Sequence, residues 1–173
     1  MRKLFAVFAV AFLCGATELR TGSPAPPLML SQLMQAPLGV VGTWEALKGN
    51  VVVLEFWATW CGGYRAQIPH LNKLQKRFRN KPVQFLSITD EEPGIVQRFL
   101  KNHPISGWIG LDSNEQTFNR YGVIGRPVTV LVDASGVVRG IGSPSDLTKE
   151  IIGDLLAGKP IVFSLQATLP AKT

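Results

Sequence analysis

An apolar run over residues 51–57, interrupted only by Glu55, leads into a cysteine at position 61. A run of this length and composition is typical of a central β-strand that is buried on both faces. After Cys61 the apolar residues recur at helical spacing, which predicts a helix over residues 61–79. The sequence therefore places one thiol where a buried strand gives way to a helix.

The rest of the chain alternates predicted strands and helices. A short strand or turn is expected within 40–47, and acidic residues 90–92 precede a helix that begins at Pro93, where they suit its positive end. Residues 128–132 and 137–141 flank a tight turn and predict an antiparallel hairpin. The other predicted strands are 83–88 and 108–111, and the other helices are 115–121 and 145–157. This order predicts an α/β fold, with a central mixed sheet flanked by helices on both faces.

The first 16 residues have the pattern of an export signal. Arg2 and Lys3 form a basic start, and the apolar stretch 4–13 is too short for a comfortable membrane span. Small residues follow, so cleavage after Ala16 is expected; an uncleaved anchor and lipid attachment at Cys14 remain as alternatives. We expect an extended lead-in at 17–27, one domain at 28–158 and a tail at 159–173, in a protein exported to the periplasm or cell envelope.

Removal of the signal would leave Cys61 as the only thiol, so no internal disulfide could form. A free thiol in an exported chain needs an explanation, and a buried, inert cysteine is the alternative. Several neighbours favour the reactive thiolate. The start of a helix supplies unpaired N–H groups and partial positive charge, Gly62 and Gly63 allow close approach, and Arg65 adds a cation.

Composition excludes several classes of function. Hydrophobic residues make up 46% of the chain and charged residues 17%, which is enough for a packed core. The net charge is +6, but the basic residues are interleaved with core-facing positions, so we expect no nucleic-acid partner. A membrane partner is expected only if the N-terminal segment stays uncleaved. His70 and His103 have no metal-binding spacing, and we expect neither a metal nor a cofactor.

The stretch 53–62, VLEFWATWCG, followed by Arg65, Ile68 and Pro69, resembles the thioredoxin-like exported thiol–disulfide oxidoreductases of the TlpA/ResA or redoxin type. Residues 122–136 resemble the family's cis-proline segment and the hairpin after it, and residues 87–112 resemble its characteristic insertion. The resemblance covers roughly 28–156. It implies a thioredoxin-like fold, with protein or small-molecule thiols and disulfides as partners. We also expect a monomer.

The resemblance also implies roles for individual residues. Cys61 matches the nucleophile, and Glu55 matches a buried acid that relays protons, although a surface glutamate is the alternative. Pro127 matches the cis-proline, which faces the nucleophile and presents the backbone before it to a substrate. Arg126 would stabilise a thiolate or favour an acidic substrate, or else be exposed and solvated.

Two aromatic residues complete the predicted substrate-binding surface. Trp60 is expected to line the thiol, whereas Trp57 is expected in the core. Tyr64 occupies the position of the family's second cysteine. It would stack over Cys61 or hydrogen-bond its sulfur, or else be a surface tyrosine that fills the lost cysteine's space.

The absence of the second cysteine leaves three interpretations open. Without a resolving thiol, a mixed disulfide at Cys61 persists until an outside thiol arrives, which describes a single-thiol redox protein. The second interpretation is a non-catalytic binding module with a thioredoxin fold. The third is a thiol peroxidase that forms a sulfenic acid, and it is disfavoured because Ala58 stands where peroxiredoxins carry a threonine.

Overall fold

The computed structural model describes residues 19–164. The predicted signal at 1–16 and the end of the predicted tail lie outside the described residues. Within them, six strands form a single sheet in the order β1-β4-β3-β2-β5-β6. The strands are β1 Gln32–Met34, β2 Val51–Phe56, β3 Val83–Thr89, β4 Trp108–Leu111, β5 Val128–Val132 and β6 Val138–Gly142. The helices are α1 Trp44–Leu47, α2 Gly62–Phe78, α3 Pro93–Leu100, α4 Gln116–Arg120 and α5 Lys149–Leu156, with a 3-10 turn at Pro144–Asp146.

Strand β2 lies in the middle of the sheet and joins its parallel and antiparallel halves. It pairs in parallel with β3 and antiparallel with β5. Strand β3 continues in parallel to β4, while β1 and β6 form antiparallel edges. In this register Glu55 lies opposite Ser87 on β3 and opposite Thr129 on β5, so three polar side chains form one row across the sheet.

Alternate residues of β2 enter two separate cores, as the pleat of a strand requires. Val51 and Val53 pack with buried residues of α2, α3 and α5 on one face. Val52 and Leu54 pack with buried residues of α1 and α4 on the other face. All six residues of β2 are buried, so the predicted central strand is confirmed.

The predicted mixed sheet with helices on both faces is confirmed, and so is the antiparallel hairpin of β5 and β6. Three local features differ from what the sequence suggested. Residues 44–47, within the expected short strand or turn at 40–47, form one helical turn. The strand β1 was missed because three half-exposed residues carry little periodicity. The last helix begins at Lys149, after the separate turn at Pro144–Asp146.

Segments before and after the predicted domain lie against the outer edge of β6. Gly22 donates a backbone hydrogen bond to the Val138 carbonyl oxygen, and Ile141 donates one to the Phe163 carbonyl oxygen. Phe163 is buried there, against Gly140 and Gly142. Between residues 19 and 164, no helix is both long enough and apolar enough to cross a membrane.

Candidate active site

Cys61 lies at the junction of β2 and α2, at the N-cap position of the helix. Its backbone N–H donates to the Ala58 carbonyl oxygen at 3.1 Å, which closes a tight turn between strand and helix. The residue is only 7% exposed. Its Sγ donates a long hydrogen bond of 3.6 Å to the Arg126 carbonyl oxygen. The thiol therefore faces the backbone that precedes Pro127.

The Arg126–Pro127 peptide bond is cis, as the resemblance implied. Gly63 lies next to both the proline and the thiol. A Cβ placed on Gly63 would be 3.6 Å from Pro127 Cδ and 4.0 Å from Cys61 Sγ. These distances bring the predicted nucleophile and the predicted cis-proline together at one end of the sheet.

Tyr64 is fully buried, so the expected surface placement was wrong. Its ring stacks on Trp57 with the centroids 5.0 Å apart, and its hydroxyl lies 3.1 Å from Ser87 Oγ. Burial, and then the nearby Glu55 carboxyl, raise the pKa of Tyr64 far above its usual value, while the bond to Ser87 partly opposes this. The side chain is a core residue in contact with the sheet.

Glu55 is buried at 1% exposure, as predicted. The Thr129 hydroxyl lies 2.9 Å from each carboxylate oxygen. Burial raises the pKa of Glu55 well above its ordinary value, and the hydrogen bond from Thr129 opposes the shift. A small cavity of about 10 Å³, near the lower limit for holding one water molecule, is lined in part by Glu55, Tyr64 and Ser87. The proton-relay role of Glu55 stays a prediction.

The Arg126 side chain is only 14% exposed, so the expected solvated placement was wrong, while its preference for an acidic substrate stays a prediction. Its two terminal nitrogens donate to the two oxygens of Asp90 at 2.9 Å and 2.6 Å. The guanidinium also lies 4.4 Å from the centroid of the Phe118 ring and 5.7 Å from that of Trp60. What Arg126 presents to Cys61 is its carbonyl oxygen. Trp60 itself is 67% exposed beside this segment, and its contact with a substrate stays a prediction.

Two acids at the end of β3 belong to the site, although the sequence suggested only a role at the start of α3. Asp90 pairs with Arg126, as described above. Glu91 accepts hydrogen bonds from the Thr59 backbone N–H and hydroxyl, each at 2.7 Å. The predicted topology could have indicated this, because the carboxyl ends of adjacent parallel strands lie at the same edge of a sheet. The acids after β3 therefore had to lie near the loop after β2.

The groups assembled here suit thiol chemistry. One sulfur lies at a helix start beside a backbone carbonyl, and a carboxyl group with a raised pKa is buried in the preceding strand β2. Across residues 19–164, no group of three or more histidine, cysteine, aspartate or glutamate side chains is placed to hold a metal ion.

Known proteins are similar to this chain in sequence and in structure. Residues 22–141 match the model of the AhpC/TSA family. The thiol-disulfide oxidoreductase ResA of Geobacillus thermodenitrificans is 32% identical over 142 residues, covering 82% of this chain and 79% of that protein. ResA of Bacillus thuringiensis subsp. konkukian is 27% identical over 151 residues, covering 79% and 85%. A thiol:disulfide interchange protein of the thioredoxin family from Chlorobium tepidum superposes with a TM-score of 0.63 at 28% identity, covering 80% of this chain and 99% of that one.

Proposed function

The chain belongs to the AhpC/TSA family and has a thioredoxin-like fold, and from this premise we propose that it is a thiol–disulfide oxidoreductase that works through Cys61 alone. Its substrates are protein or small-molecule disulfides. The substrate first forms a mixed disulfide with Cys61, and an outside thiol then cleaves this disulfide and releases the substrate. The relatives named ResA and the interchange protein from Chlorobium support the reaction class.

The proposed reaction has two exchange steps. In the first, the Cys61 thiolate attacks one sulfur of a substrate disulfide; a Cys61–substrate disulfide forms, and the other substrate sulfur leaves as a thiolate. In the second, an outside thiolate attacks the substrate sulfur of that mixed disulfide and expels Cys61 as a thiolate. The substrate sulfur ends bonded to the outside thiol, and Cys61 returns to its starting state.

The observation that carries this proposal is the position of Tyr64. The family resemblance places a second cysteine there, three residues after the nucleophile. Tyr64 fills that position with a buried ring that is stacked on Trp57 and hydrogen-bonded to Ser87. Cys61 is the only cysteine among residues 19–164. No described side chain can therefore perform the resolving step.

We place the protein outside the cytoplasm, in the periplasm or cell envelope, as a monomer. The basic start and short apolar stretch of residues 1–16 support export. A compartment outside the cytoplasm also suits the proposed chemistry, because disulfides persist there.

Trapping of mixed disulfides tests the proposal. The purified mature chain is incubated with an excess of a disulfide-bonded peptide and run on a non-reducing gel. We expect an adduct that dithiothreitol releases and that Cys61→Ser abolishes. If Cys61 is alkylated under native conditions but forms no adduct, the chain is a binding module instead. If hydrogen peroxide converts Cys61 rapidly to a sulfenic acid while disulfides do not react, the peroxidase interpretation replaces the proposal.

A further inference from the structure

The loop after β3 holds both backbone segments that meet at the thiol. It contains the consecutive acids Asp90 and Glu91, whose carboxylates point to different partners. Asp90 pairs through both oxygens with Arg126, the residue before the cis-proline. Glu91 bonds through both oxygens with Thr59, in the turn before Cys61. One dipeptide thus connects the two sides of the candidate site.

The Glu91 contact acts on the turn that delivers the cysteine. The bond from Cys61 N–H to the Ala58 carbonyl oxygen makes Thr59 and Trp60 the two central residues of that turn. Both donors of Thr59, its backbone N–H and its hydroxyl, end on the Glu91 carboxylate at 2.7 Å. Hydrogen bonds to a carboxylate are the stronger kind, so they restrict the turn at its centre.

The Glu91 side chain is itself held in place. The Thr89 hydroxyl, at the end of β3, donates to Glu91 Oε2 at 3.2 Å, and Glu91 N–H lies 3.4 Å from the same hydroxyl oxygen. Strand β3 is paired on both sides, with β2 and β4. The carboxylate is therefore anchored at the end of β3, where Thr89 pairs with Leu111 of β4.

The Asp90 contact fixes the opposite segment. The Asp90–Arg126 pair is mostly shielded from solvent, with 17% and 14% of the two side chains exposed. The guanidinium is also packed over the Phe118 ring at 4.4 Å. Arg126 is thereby anchored through its side chain, while its carbonyl oxygen accepts from Cys61 Sγ at 3.6 Å.

We propose that Asp90 and Glu91 are a pair of positioning residues that set the distance and orientation between Cys61 Sγ and the Arg126–Pro127 backbone. This inference rests on the proposed function, because that geometry matters when a disulfide-containing chain lies on the backbone while the sulfur attacks it. Neither acid touches the reacting sulfur through its carboxylate. Each acts through its partner, Glu91 through Thr59 and Asp90 through the Arg126 guanidinium.

Two reactions of the same thiol test this. An uncharged, end-blocked peptide disulfide needs the geometry of the site, whereas iodoacetamide needs only the thiol. We expect Glu91→Gln and Asp90→Asn each to slow the peptide reaction about tenfold and to change alkylation by less than about twofold, since small displacements are costly only for oriented reactants. Glu92→Gln is the matched control. Glu92 is the next acid, at the N-cap of α3, and makes no side-chain capping bond.

A cycle of variants separates positioning from a general loss of structure. Thr59→Val changes the partner of Glu91 instead of Glu91 itself. It removes the hydrogen bond from the Thr59 hydroxyl and keeps the one from the Thr59 backbone N–H. Because Thr59 and Glu91 act through the same contact, their effects on the ratio of the two rates should not add. Thermal unfolding is measured for every variant, and Thr59→Val alone serves as the test if Glu91→Gln does not fold.

The results separate the inference from the proposed function. Equal peptide rates for Glu91→Gln and Glu92→Gln overturn the inference alone. A proportional fall of both reactions in folded variants also overturns it, because the acids then affect reactivity and not position. A wild-type chain that is alkylated but never reacts with the peptide disulfide overturns the proposed function and the inference with it.

Discussion

The Tyr64 hydroxyl lies 3.1 Å from Ser87 Oγ, in the same polar row that contains Glu55. The first turn of α2 thus directs two residues, three positions apart, to different surroundings. Cys61 meets the Arg126 carbonyl oxygen at the end of the sheet, while Tyr64 is buried against the middle of the sheet. The position that a resolving cysteine would occupy is therefore part of the hydrophobic core.

Tyr64→Cys should convert the site to a dithiol site. Residues three apart on a helix are neighbours, so the new thiol would lie within reach of Cys61. Insulin reduction with dithiothreitol should rise about tenfold or more, because the resolving step becomes intramolecular. Tyr64→Ser is the matched control, since it opens the same space without a thiol. Both variants should lose about 3 kcal/mol of stability with the tyrosine ring. Equal turnover in the two variants would refute a missing resolving step.

Tyr64→Phe should be destabilising with little effect on thiol reactivity. The change keeps the stack on Trp57 and removes one hydrogen bond, which leaves the Ser87 hydroxyl without its partner. The expected cost in the free energy of unfolding is about 1 kcal/mol. Denaturant unfolding of Tyr64→Phe, Ser87→Ala and the double variant measures this. The double variant should cost less than the sum of the single ones, and simple additivity would show that the two hydroxyls do not interact.

The sequence was sufficient to predict the junction that places the thiol. The switch from a continuous apolar run to helical spacing occurs within a few residues of Cys61, and the structure has strand and helix there. The burial of Glu55 also followed from the sequence, because apolar residues flank it on both sides. All six residues of this central strand are buried.

The surroundings of Tyr64 and Arg126 were not predicted. For Tyr64 the information was present, because positions 64, 68 and 71 continue one helical stripe whose other members are buried. For Arg126 it was not, since its partner Asp90 is 36 residues away and the pairing depends on how two loops meet above the sheet. Local patterns describe an element and its buried face, but not which loop ends contact each other.

Removing the Glu55 carboxyl should flatten the pH dependence of stability. Because burial raises the folded-state pKa, the folded protein keeps a proton that the unfolded chain releases above about 4.5. The stabilisation is complete below that pH and declines as pH rises towards the folded pKa, by up to about 1.4 kcal/mol per pH unit. Glu55→Gln should therefore gain stability relative to wild type as pH rises.

Urea unfolding of wild type and Glu55→Gln, compared at about pH 5 and about pH 8, measures this effect. Asp112 contributes with the same sign, because burial also raises its pKa, so the comparison is repeated in an Asp112→Asn background. A stability difference that is constant with pH would show that Glu55 is ionised in the folded protein.

Gly140→Ala should release the segment that covers the edge of β6. A Cβ at Gly140 would lie 2.8 Å from the Phe163 carbonyl oxygen and 2.9 Å from Phe163 Cβ, so the Phe163 backbone must move. The expected cost in the free energy of unfolding is about 1–3 kcal/mol.

Gly153→Ala is the control. Nothing lies within 4 Å of a Cβ placed on Gly153 in α5, so alanine should raise the free energy of unfolding by about 0.5–1 kcal/mol. Chymotrypsin cleavage after Phe163, which is 6% exposed, reports release. Faster cleavage is expected for Gly140→Ala only; unchanged cleavage at Phe163 would mean that the contact with Gly140 does not hold this segment.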